Sequence, residues 1–335
     1  MRNPLNVAVI GLGVGEQHAR TYHRLPDCRL RWLFDLDHAR ASALCEALDA
    51  GRVAEDENTV FTDPEVDIIS IASFDHDHFN HVLKALQNRK HLFVEKPLCR
   101  NIDELAQIKR QWIESGTPSI ESNLVLRAAP IYKWLKELIF SGDLGEIYSF
   151  DGDYLYGRLH KITEGWRKDV PDYSVMVGGG IHLIDLMIWL TGQRPVSVAT
   201  TGNRICTTGT DFHHNDFMAS TFVFDSGLVG RITANFGCVH RHQHVVRIFG
   251  SKATFILDDL GPRLHSSRDP KTQGQTLNHP TMPTTKGDLI PGFIENTKTE
   301  KNTHEDTQRH FDLISVCAAA DKALTTDGPV GVQYA

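Results

Sequence analysis

At 335 residues the chain is longer than one hydrophobic core usually serves, and its 41% hydrophobic content is that of an ordinary globular protein. A formal net charge of −7 with no long Lys/Arg run argues against nucleic acid and anionic membranes as partners, which leaves small molecules. Six cysteines lie scattered without a CxxC pair, against a zinc or disulfide framework and for a reducing compartment; with no signal-like or membrane-length apolar segment, the expectation is a cytoplasmic protein.

The first predicted element is Leu5 to Ile10, an unbroken apolar run that suits a strand buried on both faces of a parallel sheet. It meets a glycine-rich turn at Gly11, Gly13 and Gly15, where a dinucleotide site needs one glycine for the turn and another so that the backbone approaches a pyrophosphate at a helix N-terminus. The usual spacing is GxGxxG and position 16 is Glu16, so either the loop is one residue shorter or Gly15 takes the third place. Val14 lies within the same turn and counts with the glycines as a candidate cofactor contact.

Arg29 to Phe34 reads as a second strand and ends at Asp35, about twenty residues past the glycines, where an acid bonds the adenosine ribose. An acid there repels a 2′-phosphate, so NAD is favoured over NADP; the competing reading of Asp35 is a cap for the helix starting near Asp37. Alternation continues with helix Asp37–Ala50, strand Val66–Ala72, helix Asp77–Asn88, strand His91–Val94, helix Asn101–Ser115 and strand Pro118–Ser122. That order predicts a doubly wound parallel sheet, a Rossmann-type α/β domain over residues 1–123.

Residues 124–335 read as a second domain. A helix at Pro130–Ser141 precedes a strand at Ile147–Tyr156, a helix at Gly180–Thr191, and a hairpin of Phe217–Phe224 with Leu228–Phe236 about the turn Asp225-Ser226-Gly227. Val245–Gly250 and Lys252–Leu257 continue the strands, His265 to about Lys286 lacks periodicity and reads as a long surface loop, and a helix near Glu305–Leu324 closes the chain.

Lys96 follows the His91–Val94 strand in Glu-Lys-Pro, so its amine falls at the end of a strand of the dinucleotide domain, where it can stabilise or exchange the proton of a reacting hydroxyl. His182 falls in the first turn of a predicted helix, where the N-terminal dipole favours neutral imidazole, and Asp185 lies three residues on along the same face. Between Gly152 and Met176, Tyr154, Arg158, Lys161, Arg167 and Tyr173 combine aromatic faces with cationic donors, as sugar rings and anionic substituents require. His240, His242 and His244 alternate as on one strand face; a sheet-face or interface role outweighs a metal site, and no metal is expected.

Together GLGVGEQHAR, IASFDHDH, HLFVEKPL and GGGIHLIDLMIWLTG resemble the glucose-fructose oxidoreductase, inositol dehydrogenase and rhizopine-catabolism family almost end to end. The resemblance implies a Rossmann domain followed by an α/β domain with a large, open, mostly antiparallel sheet that carries substrate on one side and often a homodimer or homotetramer interface on the other. It implies that Lys96 is catalytic with His182, that Glu95 stands at the cofactor, that Pro97 is cis, and that Ser73, His78 and Asn123 line the NAD site. The implied reaction is hydride transfer between nicotinamide and a ring hydroxyl, a nucleotide-sugar being the first expectation and a free polyol such as an inositol the next. The alternatives are an NAD-retaining glycoside hydrolase of the same fold and a catalytically silent NAD-binding protein. One departure matters: the family pattern is Asp-x-x-x-His-x-x-Asp, and its first acid is replaced here by Gly178.

Overall fold

Alternating apolar strands and amphipathic helices build the first of two units in the computed structural model, which describes residues 4–301 and 303–335. In chain order they are β1 (Leu5–Ile10), α1 (Gly15–Arg24), β2 (Cys28–Phe34), α2 (His38–Leu48), β3 (Arg52–Val53), α3 (Glu57–Thr62), β4 (Ile68–Ile71), α4 (His78–Gln87), β5 (His91–Val94), α5 (Ile102–Glu114) and β6 (Ile120–Ser122). The six strands form one parallel sheet ordered β3-β2-β1-β4-β5-β6, so the direction of winding reverses between β1 and β4. In an open sheet of this kind ligands bind at that switch, outside the carboxyl ends of the strands. Helix starts follow sequence chemistry: Asp37, Asp56 and Asn101 each accept a backbone N–H at the start of α2, α3 and α5.

The second unit opens with α6 (Pro130–Phe140), whose proline stands in the first turn where a missing N–H costs nothing. Then come β7 (Ile147–Leu155), the single turn α7 (His160–Thr163), a five-residue π-helical turn at Met176–Gly180 that runs into α8 (Ile181–Thr191), β8 (Pro195–Asn203), β9 (Phe217–Phe224), β10 (Val229–Asn235), β11 (Gln243–Gly250), β12 (Thr254–Asp258), β13 (Gly261–His265) and β14 (Gln275–Thr276). Three late elements complete the chain: α9 (Ile290–Thr299), α10 (Thr303–Ala323) and β15 (Val330–Gly331). The nine strands of this unit are ordered β14-β13-β12-β11-β7-β10-β9-β8-β15, antiparallel throughout except for the central β7–β10 pair.

The boundary expected after residue 123 needs one correction. Residues 283–314 belong to the first unit and the second comprises residues 126–282 and 315–334, so residues 124–335 are not one continuous domain. The reason is apolar: Ile290, Phe293 and Ile294 of α9 are buried in the same cluster as Val7, Val9, Tyr22 and Phe93. The 265–286 stretch is mostly irregular, as expected of a surface loop, but it also contributes β14 to the sheet edge.

Candidate active site

The glycine turn resolves the spacing question in favour of Gly15. Gly11 has φ +81°, and a Cβ there would stand 2.5 Å from the Ala72 carbonyl oxygen, so only glycine makes this turn. A Cβ on Gly13 would meet nothing within 4 Å, which leaves its backbone open to approach from outside; a Cβ on Gly15 would stand 3.0 Å from a Val9 methyl and 3.2 Å from Ala72 Cβ, so Gly15 allows α1 to pack closely on the sheet. Turn, approach and packing are the three roles a dinucleotide cradle needs. Val14, beside them, is exposed.

Asp35 closes this turn from the end of β2. One carboxylate oxygen accepts from the Leu12 N–H at 2.6 Å, the other from the Asp37 N–H at 2.9 Å, and the Arg40 guanidinium stands 3.4 Å away. The cap on α2 is Asp37 instead, which accepts from the Arg40 N–H. An acid fixed against the glycine turn, an open Gly13 backbone and a helix start together fit the adenosine and pyrophosphate of NAD.

Beneath the turn runs a polar network that the sequence reading missed. His18, on α1, stands 3.0 Å from Ser70 Oγ and 3.3 Å from a Glu95 carboxylate oxygen; Asn123 donates to Glu95 at 2.7 Å and to the Lys286 carbonyl at 2.7 Å. Burial raises the Glu95 carboxyl, yet hydrogen bonds from His18 and Asn123 and the charges of His18 and Lys96 outweigh it and hold the group down at about 2. Glu95 is therefore an anion through the working pH range, next in sequence to the half-buried Lys96. The Lys96–Pro97 bond is cis. The available signal was His18 itself, placed seven residues after Gly11 on the buried face of α1.

His78 and Ser73, expected at the cofactor, are fixed by hydrogen bonds within the first unit. The His78 ring, fully buried, stands between the Pro97 carbonyl (Nδ1, 2.6 Å) and the Ser73 carbonyl (Nε2, 3.2 Å), so it ties the loop after β4 to the Glu-Lys-Pro segment. The Ser73 hydroxyl lies 2.9 Å from His81 Nδ1, and His81 Nε2 lies 3.0 Å from Glu57.

In the second unit, the three consecutive glycines receive side chains. A Cβ at Gly178 would stand 2.3 Å from the Tyr173 hydroxyl, one at Gly179 2.4 Å from the Tyr154 ring, and one at Gly180 2.3 Å from Met176 Sδ. Ser174 starts the π-helical turn: its Oγ accepts from the Met176 and Val177 N–H groups and donates to Asp321 at 2.6 Å. Because this turn precedes α8 without a break, His182 is not at a free helix N-terminus, and the dipole argument for its neutrality does not carry over. Insertions of this kind occur at functional sites.

His182 is buried and lies in an aromatic enclosure: Tyr154 stacks on it at 6.2 Å between centroids, and His244 meets it edge-on at 5.8 Å. His242 and His244 both meet the Tyr154 ring edge-on at 5.2 Å, whereas His240 pairs with Asp259 at 3.1 Å, so the alternating histidines do not act as a set. Tyr156 and Phe236 extend the wall.

Asp185 has a cationic partner that the sequence did not show. Its two oxygens take three contacts from the Arg127 guanidinium at 2.5–3.2 Å, so the carboxylate is held in an ion pair joining α8 to the segment before α6. Among the cations, Arg167 stacks on Trp166 at 4.3 Å and its Nε donates to the Tyr173 hydroxyl at 3.1 Å; Arg158 is exposed with its guanidinium 5.7 Å from the Tyr156 ring, and Lys161 is exposed on α7.

With this geometry in place, comparison with known proteins is informative. Residues 5–118 match the oxidoreductase family with NAD-binding Rossmann fold, and residues 132–256 match the GFO/IDH/MocA C-terminal domain. The chain is 28% identical over 219 residues to inositol 2-dehydrogenase 2 of Saccharopolyspora erythraea, covering 64% of this chain and 62% of that relative, which is less than two thirds of its length. It is 24% identical over 304 residues to the scyllo-inositol 2-dehydrogenase (NAD(+)) of Bacillus subtilis, covering 88% and 82%. The crystal structure of myo-inositol 2-dehydrogenase from Lactobacillus plantarum shares the fold with a TM-score of 0.78 at 18% identity, over 98% of this chain and 100% of that one. The chain therefore belongs to the GFO/IDH/MocA family and is an oxidoreductase with an NAD-binding Rossmann domain.

Proposed function

We propose that this protein is an NAD-dependent dehydrogenase that oxidises a ring hydroxyl of an uncharged cyclitol, polyol or sugar. The observation that carries the reading is the Glu95 anion, fixed by His18 and Asn123 under the glycine turn and followed in sequence by Lys96. When bound, NAD supplies the hydride acceptor. Gly11, Gly13, Val14, Gly15 and Asp35 hold its adenosine and pyrophosphate half; Lys96, next in sequence to the Glu95 carboxylate, stabilises negative charge on the substrate oxygen as its proton leaves. His182, in its ring-lined recess, accepts that proton. Tyr154 and Tyr156 offer flat faces to a ring substrate.

An uncharged ring is preferred to a nucleotide-linked one because the cations expected to meet phosphates are dispersed. Arg167 is engaged by Tyr173 and Trp166, while Arg158 and Lys161 are exposed. The inositol dehydrogenases among the relatives weigh the same way. We further propose a homodimer or homotetramer formed through the outer face of the large sheet, where Val223 and Val229 pair in register and are 43% and 41% exposed. Cytoplasmic residence is supported by six free cysteines, and no helix among the described residues is long and apolar enough to cross a membrane.

The test is NADH formation, read at its absorbance band, against a panel of inositols, free sugars and nucleotide-sugars. Lys96→Ala is expected to lower kcat/KM by about 10²–10⁴-fold, the usual worth of a group acting on the transferred proton. Equal rates for wild type and Lys96→Ala refute the assignment; turnover that releases an aglycone without net NADH points to the hydrolase instead.

A further inference from the structure

Behind the crevice where winding reverses between β1 and β4, a relay of three side chains ends on Ser73. The Ser73 backbone lies against the glycine turn, since a Cβ on Gly11 would stand 2.7 Å from its N, and the residue is half-buried. Its Oγ is 2.9 Å from Nδ1 of His81 on α4, and His81 Nε2 is 3.0 Å from one carboxylate oxygen of Glu57 on α3. The other Glu57 oxygen is paired with Lys84. The His81 ring is buried with its centroid 5.7 Å from that of Phe61, so it is held between the two helices. A carboxylate only accepts, so a neutral His81 carries its proton on Nε2 and its Nδ1 is bare. Burial holds the imidazole below its ordinary value, against the pull of Glu57 and Asp77 and with the help of His78. Burial raises the Glu57 carboxyl, yet hydrogen bonds from Lys84 and His81, together with their charges, hold it below the usual range. At neutral pH Glu57 is therefore an anion, His81 is neutral, and Ser73 donates its one hydroxyl proton to Nδ1.

We propose that the Glu57–His81 pair is a positioning element for Ser73, turning the hydroxyl proton away from the dinucleotide crevice so that Ser73 meets the cofactor as an acceptor. Such a hydroxyl suits a neutral O–H or N–H donor of the bound dinucleotide and is mismatched to a phosphate oxygen, which leaves the pyrophosphate to the glycine turn. The device reverses with one proton: once His81 is protonated, Nδ1 donates to Ser73 and the hydroxyl proton is released toward the crevice. Neither Glu57 nor His81 need touch the cofactor for either to govern what Ser73 offers it.

Ser73 facing the cofactor rests on the dehydrogenase reading, whereas the protonation of His81 does not, and two measurements separate them. In the isotope-labelled apoprotein at neutral pH, the ring-nitrogen NMR shifts of His81, identified by their loss in His81→Gln, are expected to show Nε2 protonated and Nδ1 bare. In Glu57→Gln, Lys84 keeps the amide oxygen, the amide N–H faces Nε2, and the ring proton is expected on Nδ1. A protonated Nδ1 in wild type overturns the proposal. By calorimetric titration, Ser73→Ala is expected to weaken NAD binding about three- to tenfold, the worth of one neutral hydrogen bond. Glu57→Gln is expected to weaken it by a similar factor, with no further loss when added to Ser73→Ala. The same losses with ADP-ribose place the donor on that part of the dinucleotide; losses confined to NAD place it on the carboxamide. A pair that only anchors α3 to α4 gives independent losses that multiply, or a lowered Tm with NAD affinity unchanged in Glu57→Gln, and either result overturns the proposal. Unchanged affinity in Ser73→Ala overturns it as well and leaves the dehydrogenase reading standing, whereas a wild type that binds no dinucleotide refutes both.

Discussion

Asp321 makes the stability of the second unit depend on pH in a direction opposite to that of most carboxylates. Its side chain is largely buried in α10 and accepts one hydrogen bond, from Ser174; desolvation outweighs that bond and raises the carboxyl from 3.8 to about 7. Between those values the folded state retains a proton that the unfolded chain has lost. Stability is therefore full below about pH 4, falls as pH rises toward 7, and is level above it. A difference of about three pH units corresponds to about 4 kcal/mol across the window. Asp321→Asn mimics the protonated acid and keeps an acceptor for Ser174. Urea unfolding of wild type and variant at half-unit steps from pH 4.5 to 8 is the assay: the variant is expected to gain on wild type steadily with pH, approaching a few kcal/mol at pH 7.5. Two curves that stay parallel across the window refute the argument, because they leave Asp321 ionised in the folded protein.

Glu95 carries the opposite sign. Its folded value of about 2 lies below the ordinary 4.5, so its contribution is present above pH 4.5 and lost as pH falls through 2; Glu95→Gln is expected to cost about 3 kcal/mol at pH 7 and little near pH 2, measured by chemical denaturation. Gly11→Ala forces a side chain into a left-handed turn against the Ala72 backbone and is expected to weaken NAD binding by 100-fold or more in a calorimetric titration, with a lowered Tm. Arg127→Met leaves the Asp185 anion buried and is expected to cost about 3–5 kcal/mol, whereas adding Asp185→Leu recovers most of the loss, so the double variant should melt above the single one.

Much of the first unit could be read from its letters because both-face burial writes continuous apolar strands, and because the glycine turn and the acid at 35 answer to local geometry. The second unit was legible where polar and apolar residues alternate, as in the β9–β10 hairpin, and less so in β8 or the short strands β14 and β15, whose pairing is set by the sheet around them. Site chemistry divided along the same line. Lys96 and His182 stand out as residue types in context. The Glu95–His18–Asn123 network unites α1, β5 and the end of β6, and the Asp185–Arg127 pair spans 58 residues, so neither leaves a periodic trace. The Arg127 partner of Asp185 was not legible because i, i+3 spacing shows which groups share a helix face and not which partner that face meets. Gly178 looked like a vacancy until its filling, five residues upstream, was visible in space.

The return of α9 to the first unit bears on how the molecule is made. A ribosome that has released only the six parallel strands has produced a sheet whose Val7–Phe93 surface still waits for Ile290, Phe293 and Ile294, nearly two hundred residues downstream. The first unit cannot finish before residues 126–282 of the second have been synthesised, so a shortened gene ending at the apparent domain border should yield a sticky, protease-sensitive fragment, and the two units are better exchanged between relatives as a pair than singly.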